Sequence, residues 1–188
     1  MKRWLIIILA LATMQLRAQN HRSDALDDVL QHAPMASVFV LKACGVNNET
    51  SWQQLALTGA ASYVLSAATT YSLKQVVQER RPDKSDRRSF PSGHATFAFA
   101  GATMLAHEYG HSEPWVAIGG YTLASLVAVD RLVRDRHYLH DVCAGAVIGV
   151  AGTELSYYLQ RQLLPKLFKN DHASFAVTSN GVYFAYNW

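Results

Sequence analysis

Between residues 34 and 159 the chain passes through five apolar segments: Pro34–Val46, Trp52–Val77, Ser92–Tyr109, Trp115–Val129 and Val142–Leu159. Ala, Leu, Val and Ser fill them without strict alternation, so the period-two pattern of a half-buried strand is missing and helices are expected. Pro34, Pro91 and Pro114 stand at or just before segment starts, where a fixed φ and a missing N–H suit the first helical turn. Asn47-Asn48, the charged run Glu79 to Arg88, and His111 to Glu113 read as loops. The polar stretch Arg22 to Gln31 predicts an amphipathic surface helix. A length of 188 residues suffices for one domain with a real core. The expected fold is all-α, a bundle of about five core helices.

The two ends of the chain differ from its middle. Lys2 and Arg3, the apolar run Trp4 to Met14, and Leu16-Arg17-Ala18 read as a secretory signal peptide over residues 1–18, with an uncleaved anchor as the alternative. A helical domain is expected over 19–170. In the tail, 171–188, two alternating runs flank Asn180-Gly181, which predicts a short C-terminal β-hairpin. Cys44 and Cys143 both lie in apolar segments, where buried free thiols are expected rather than a disulfide.

Only 16% of the residues are charged, against roughly 25% in ordinary soluble domains, which points towards a membrane or its surface. A net charge of +3 favours anionic partners. No arginine–aromatic stripe of the kind that holds single strands is present, so nucleic acid is not an expected partner. Of the five segments, Trp52–Val77 alone exceeds the ~20 residues that a span needs. If all five crossed after export, the ends carrying Lys74, His94, Arg131 and His137 would face outwards. The basic loops Glu79–Arg88 and Asp130–Arg136 on that side run against the positive-inside rule, unless function holds them there.

Three clusters carry chemistry. Lys74 is followed by Arg81-Pro82; Pro91-Ser92-Gly93-His94 heads an apolar helix; Arg131 is followed six residues on by His137 and four further on by Asp141. In an up-down bundle all three fall at one end. Their chemistry is that of a phosphate site. Arginine forks and a lysine clamp its oxygens, and backbone N–H groups at Ser92 and Gly93 attract an anion at a helix N-terminus. His137 suits a nucleophile whose tautomer Asp141 fixes, and His94 suits the acid that protonates the departing oxygen. Fixed cations can then stabilise the transferring group without a metal or other cofactor.

These clusters resemble the three-part signature of the type 2 phosphatidic acid phosphatase superfamily, which also holds bacterial nonspecific acid phosphatases and vanadium haloperoxidases. The likeness covers Lys74 to Asp141 and, with flanking helices, roughly residues 52 to 160. It implies a helical bundle and phosphate contacts from Lys74, Arg81, Ser92, Gly93 and Arg131. It further implies a phosphohistidine on His137, oriented by Asp141, and a general acid at His94. The short gap from Pro82 to Pro91 and the run Arg136 to Asp141 look like the small bacterial envelope members that act on lipid phosphates. Such a protein would sit in the inner membrane with its site facing the periplasm; a soluble periplasmic acid phosphatase and a non-catalytic phospholipid binder are the alternatives. The family places serine where this chain has Asp130, which is expected to orient Arg131 through a salt bridge.

A rival motif is His107-Glu108-Tyr109-Gly110-His111, a literal match to the zinc-metallopeptidase helix. It fixes three positions only, ends a helix at Gly110, and lies at the opposite end of the bundle from the phosphate cluster.

Overall fold

The computed structural model describes residues 24–46, 48, 50–167, 173–178 and 181–186. The expected signal peptide, 1–18, lies outside them. Six helices appear among the described residues: α1 Asp24–Leu30, α2 Ala33–Ala43, α3 Trp52–Val77, α4 Gly93–Tyr109, α5 Pro114–Val133 and α6 Leu139–Leu167. Five of them correspond to the expected core helices, and α1 is the helix expected in the polar stretch before Gln31. That helix is not a plain surface element, since Asp27 is buried. In the tail, β1 Ala173–Thr178 pairs antiparallel with β2 Gly181–Tyr186, Ala173 opposite Tyr186.

The local signals explain the starts and stops. Ser51 caps α3 in a reciprocal box with Gln54: Gln54 N donates to Ser51 Oγ at 3.2 Å, and Ser51 N to Gln54 Oε1 at 3.3 Å. The helix stops at Gln78, which turns left-handed at φ 46°. Pro34 and Pro114 occupy first turns, and Ser92 caps α4. Two boundaries moved outwards from the expected ones: α5 continues through Asp130-Arg131, and α6 starts before Asp141. Charged residues that look like ends in the sequence sit inside the helices because each finds a partner. The longer helices, Pro114–Val133 and Leu139–Gln162, are thus long and apolar enough to cross a membrane, whereas the 26-residue α3 does not reach that hydropathy. The expectation that α3 alone has the length to span is overturned.

α4 is the central helix and packs against α2, α3, α5 and α6. Its far end meets an apolar core of Met35, Val38, Leu55, Met104, Leu105 and Tyr157, where Tyr109 Oη donates to the Val38 carbonyl at 2.9 Å. Elsewhere the interior is made of small and hydroxylated side chains. Ser62 and Thr153 hydroxyls meet at 2.5 Å, Thr58 Oγ1 donates to Gln160 Oε1 at 2.5 Å, and Thr70 Oγ1 to Thr96 Oγ1 at 3.2 Å. Large apolar side chains such as Leu57, Val64, Trp115, Ile118, Leu126 and Val147 point outwards. Small residues let α4 and α6 approach closely. A Cβ on Gly145 would collide with the Ser92 carbonyl oxygen, and one on Gly149 with that of Thr96. Cys44 and Cys143 are free but exposed, not buried: one lies just past the end of α2, the other on the outer face of α6.

Candidate active site

Three stretches meet at the end of the bundle where α3 stops, α4 starts and α5 turns into α6. The segment after α3 is tied to the α5–α6 turn: Asp83 N donates to the Asp135 carbonyl at 3.0 Å, and Arg136 pairs with Asp83 Oδ2 at 3.1 Å. The close α4–α6 contact brings the head of α4 onto the first turn of α6, where Ser92 N donates to the Asp141 carbonyl at 3.0 Å.

Asp141 is fully buried at the third position of α6. Its Oδ2 accepts from Tyr138 N at 2.8 Å, half of a capping box that starts the helix, and from Ser89 Oγ at 2.5 Å. These two donors fix the carboxylate and hold its charge. His137, also buried, places Nδ1 3.5 Å from Oδ2 without completing a hydrogen bond. Such a spacing is common before substrate tightens a site.

The cations converge on this pair. Lys74 Nζ donates to the carbonyls of Arg88 at 2.7 Å and Ser89 at 3.3 Å, and Arg81 Nε pairs with Asp86 Oδ1 at 2.9 Å. Their fields reach the imidazoles. Burial first, then Arg81 and Lys74, lower the His137 pKa to about 4. Burial and Arg131 lower His94 to about 4. Burial and the neighbouring Arg81 bring Lys74 down to about 8. Burial is the larger cause in each case, and the cations that add to it are groups that also attract an anion.

Arg131 behaves differently from Lys74 and Arg81. Only 3% exposed, its guanidinium is held by Asp27 and by Asp130, whose Oδ2 accepts from Nε at 3.1 Å. His94 Nε2 lies 3.0 Å from Asp28 Oδ1. Both carboxylates of the Asp27-Asp28 pair thus enter the site from α1. Ser92 also departs from its expected part: its backbone N–H is spent on Asp141 and its hydroxyl accepts from Ala95 N at 3.4 Å, so it braces the helix head rather than offering that donor to an anion. Gly93 starts α4 with open space where a Cβ would stand, so the fold itself does not demand a glycine there. Sequence reasoning missed Ser89, Asp27 and Asp28. Ser89 has no motif of its own beyond lying two residues ahead of Pro91, and the acids of α1 are distant in sequence from everything they touch.

The zinc-peptidase motif is taken up structurally. His107 Nε2 pairs with Glu154 Oε1 at 2.8 Å and stacks on Tyr157, while Glu108 accepts from Asn48 Nδ2 at 2.8 Å and Tyr157 Oη at 2.5 Å.

A family model described as the PAP2 superfamily matches residues 55–164. The lipid A 1-phosphatase of Porphyromonas gingivalis is 33% identical over 135 residues, 71% of this chain and 30% of that protein. The decaprenylphosphoryl-5-phosphoribose phosphatase of Mycolicibacterium smegmatis is 33% identical over 119 residues, 58% of this chain and 63% of that one. The chain thus spans less than two thirds of the length of either relative. The crystal structure of Aquifex aeolicus LpxE superposes with a TM-score of 0.55 at 22% identity, covering 78% of this chain and 94% of that one.

Proposed function

The chain belongs to the PAP2 superfamily, and from that premise we propose that it is a metal-independent phosphatase acting on a lipid phosphate monoester or diphosphate through a phosphohistidine. One observation carries this reading. Cations from sequence-distant stretches, Lys74, Arg81 and Arg131, act on the buried imidazole of His137 and the partly buried one of His94, adding to burial in depressing their pKa values. His137 faces Asp141 with Nδ1, so Nε2 attacks phosphorus. The P–O bond breaks, its electron pair leaves on the ester or diphosphate oxygen, and that oxygen takes a proton from His94. Asp141 accepts the Nδ1–H and stabilises the positive charge on the phosphorylated ring. Neutral His94 then removes a proton from water as it attacks phosphorus and frees His137. Lys74 and Arg81 neutralise the equatorial oxygens in both steps.

The surface supports a lipid substrate and a membrane setting. Only 28% of the Pro114–Val133 window and 39% of the Leu139–Gln162 window are buried within the bundle, where a soluble core helix would be mostly covered. An inside built of hydroxyls and small residues beneath a large-apolar exterior suits helices packed in lipid. An apolar groove of about 480 Å³ between α2, α4 and α5, lined by Pro34, Val40, Leu105, Val116 and Leu123, offers room for an acyl chain. Candidate substrates are lipid A, undecaprenyl diphosphate, phosphatidylglycerol phosphate and phosphatidic acid. Residues 1–18 would direct export and place the site in the periplasm.

Phosphate release by the purified full chain, measured against those lipids and p-nitrophenyl phosphate, is the test. Turnover that survives EDTA, disappears in His137→Ala and leaves acid-labile, base-stable phosphate on the wild type is expected. Equal turnover of small esters would favour a soluble-type acid phosphatase instead; lipid binding without turnover would leave only a binder.

A further inference from the structure

α1 lies against the site by more than chance packing. At its C-terminal end His32 Nδ1 meets Tyr63 Oη at 3.1 Å, and its ring packs on Tyr63 and Phe97 with centroids 5.6 and 5.5 Å away. Phe97 lies one turn beyond His94 on α4, so this corner fixes where α1 ends. Gln31 Nε2 donates back to the Asp28 carbonyl at 2.9 Å. One turn earlier, Asp27 is 6% exposed and pairs with Arg131 and Arg134. A buried acid between two guanidinium groups is a strong anchor, because removing it would strand their charge. Adjacent residues on a helix point about 100° apart, so anchoring Asp27 on α5 turns Asp28 towards α4, where its Oδ1 reaches His94 Nε2 at 3.0 Å.

We propose that Asp28 is a positioning residue for the general acid: it holds His94 by Nε2, leaving Nδ1 to face the departing oxygen, and makes α1 part of the active site. The inference rests on the phosphatase reading above. A general acid must carry a proton when the P–O bond breaks. The groups that act on His94 are Arg131 on α5, Arg81 in the segment after α3, His137 in the α5–α6 turn and Asp28 on α1. Burial, the arginines and His137 oppose its protonation, and Asp28 is the carboxylate among them that favours it. In the step itself, Nε2–H stays on Asp28 while Nδ1–H passes to the leaving oxygen, and the ring ends neutral, ready to act as base on water. Because the Asp28 side chain is 62% exposed, the contact adds little to stability. Its effect falls on orientation and proton affinity.

The test compares the wild type with Asp28→Asn, Asp28→Ala and Asp28→Glu on two leaving groups. A lipid phosphate releases a poorly acidic alcohol and needs the proton; p-nitrophenyl phosphate releases a stable phenolate and does not. Asp28→Asn and Asp28→Ala should lower kcat on the lipid phosphate about tenfold, a fraction of what a general acid contributes. KM and the burst rate of p-nitrophenol release, which reports the first transfer alone and not the later attack of water that also uses His94, should stay within about twofold, and Asp28→Glu should recover most of the loss. Equal losses on both substrates, or none, would overturn the assignment. A second readout needs no turnover: NMR titration of the His94 ring, assigned with His94→Ala, should show a lower pKa in Asp28→Asn. An unchanged ring titration overturns the pairing even if the wild type hydrolyses neither substrate, a result that would sink the phosphatase reading by itself.

Discussion

Replacing Gly145 by alanine places one methyl group in the tightest contact of the bundle. The new Cβ would overlap the Ser92 carbonyl oxygen and lie 3.1 Å from Ala95 Cβ and 3.2 Å from Thr96 Oγ1. Two of these three obstacles are backbone or a Cβ fixed to it, so no rotamer change relieves them, and the heads of α4 and α6 must separate. Overpacking of this kind costs about 1–3 kcal/mol. At roughly 2–4 °C per kcal/mol for a chain of this size, a drop of about 5 °C in Tm is expected. The separation also pulls Ser92 N from the Asp141 carbonyl and moves His94 relative to His137, so kcat should fall more than tenfold even at temperatures where the variant is folded. Gly93→Ala is the counterpart, since nothing lies within 4 Å of its added Cβ. It should melt with the wild type and lose affinity, because the methyl group meets the phosphate rather than the protein. Circular dichroism melts in detergent, paired with phosphate-release kinetics, measure both. A Gly145→Ala protein that melts within about 1 °C of the wild type would mean that this contact does not lock α4 to α6. A Gly93→Ala protein with unchanged KM would mean that the phosphate does not approach there.

Three further outcomes are expected. Asp141→Asn should lower kcat by roughly a thousandfold or more with little change in Tm, as loss of the orienting carboxylate does in comparable triads, and Ser89→Ala should lower it about tenfold by removing one of the two donors that hold that carboxylate; steady-state kinetics check both. Acidification should destabilise the fold: His94 and His137 sit near pKa 4 in the folded chain against 6.5 when unfolded, so the unfolded state takes the proton first. Stability is then fully present above pH 6.5 and lost as the pH falls towards 4, by up to about 3 kcal/mol per histidine. Melts across pH 4–7 should show a gentler slope in His137→Gln than in the wild type. Asp130→Ser should leave Arg131 held by Asp27 and change Tm by little; a large loss would show that Asp130 is the main holder.

The helices could be read from the chain because their signals are local. Ser51 with Gln54, the prolines at first turns and the unbroken apolar content of Trp52–Val77 act within a few residues, and α3 begins and ends where they say. The ends of α5 and α6 lie beyond the apolar segments for the opposite reason. Asp130, Arg131 and Asp141 look like helix-ending charges until Asp27, Ser89 and Tyr138 are known to satisfy them.

The sequence by itself determined the chemical kit, since Lys74, Arg81, His94, Arg131, His137 and Asp141 announce themselves by residue type and spacing. Tertiary structure alone decided how the kit is held: which hydroxyl steadies Asp141, that the Ser92 N–H is already spent, and that two acids of α1 reach Arg131 and His94. Spacing along a chain constrains residues that share a turn or a helix. Asp28 and His94 are 66 positions apart, and only the packing of α1 against α4 could bring a carboxylate from one to an imidazole on the other.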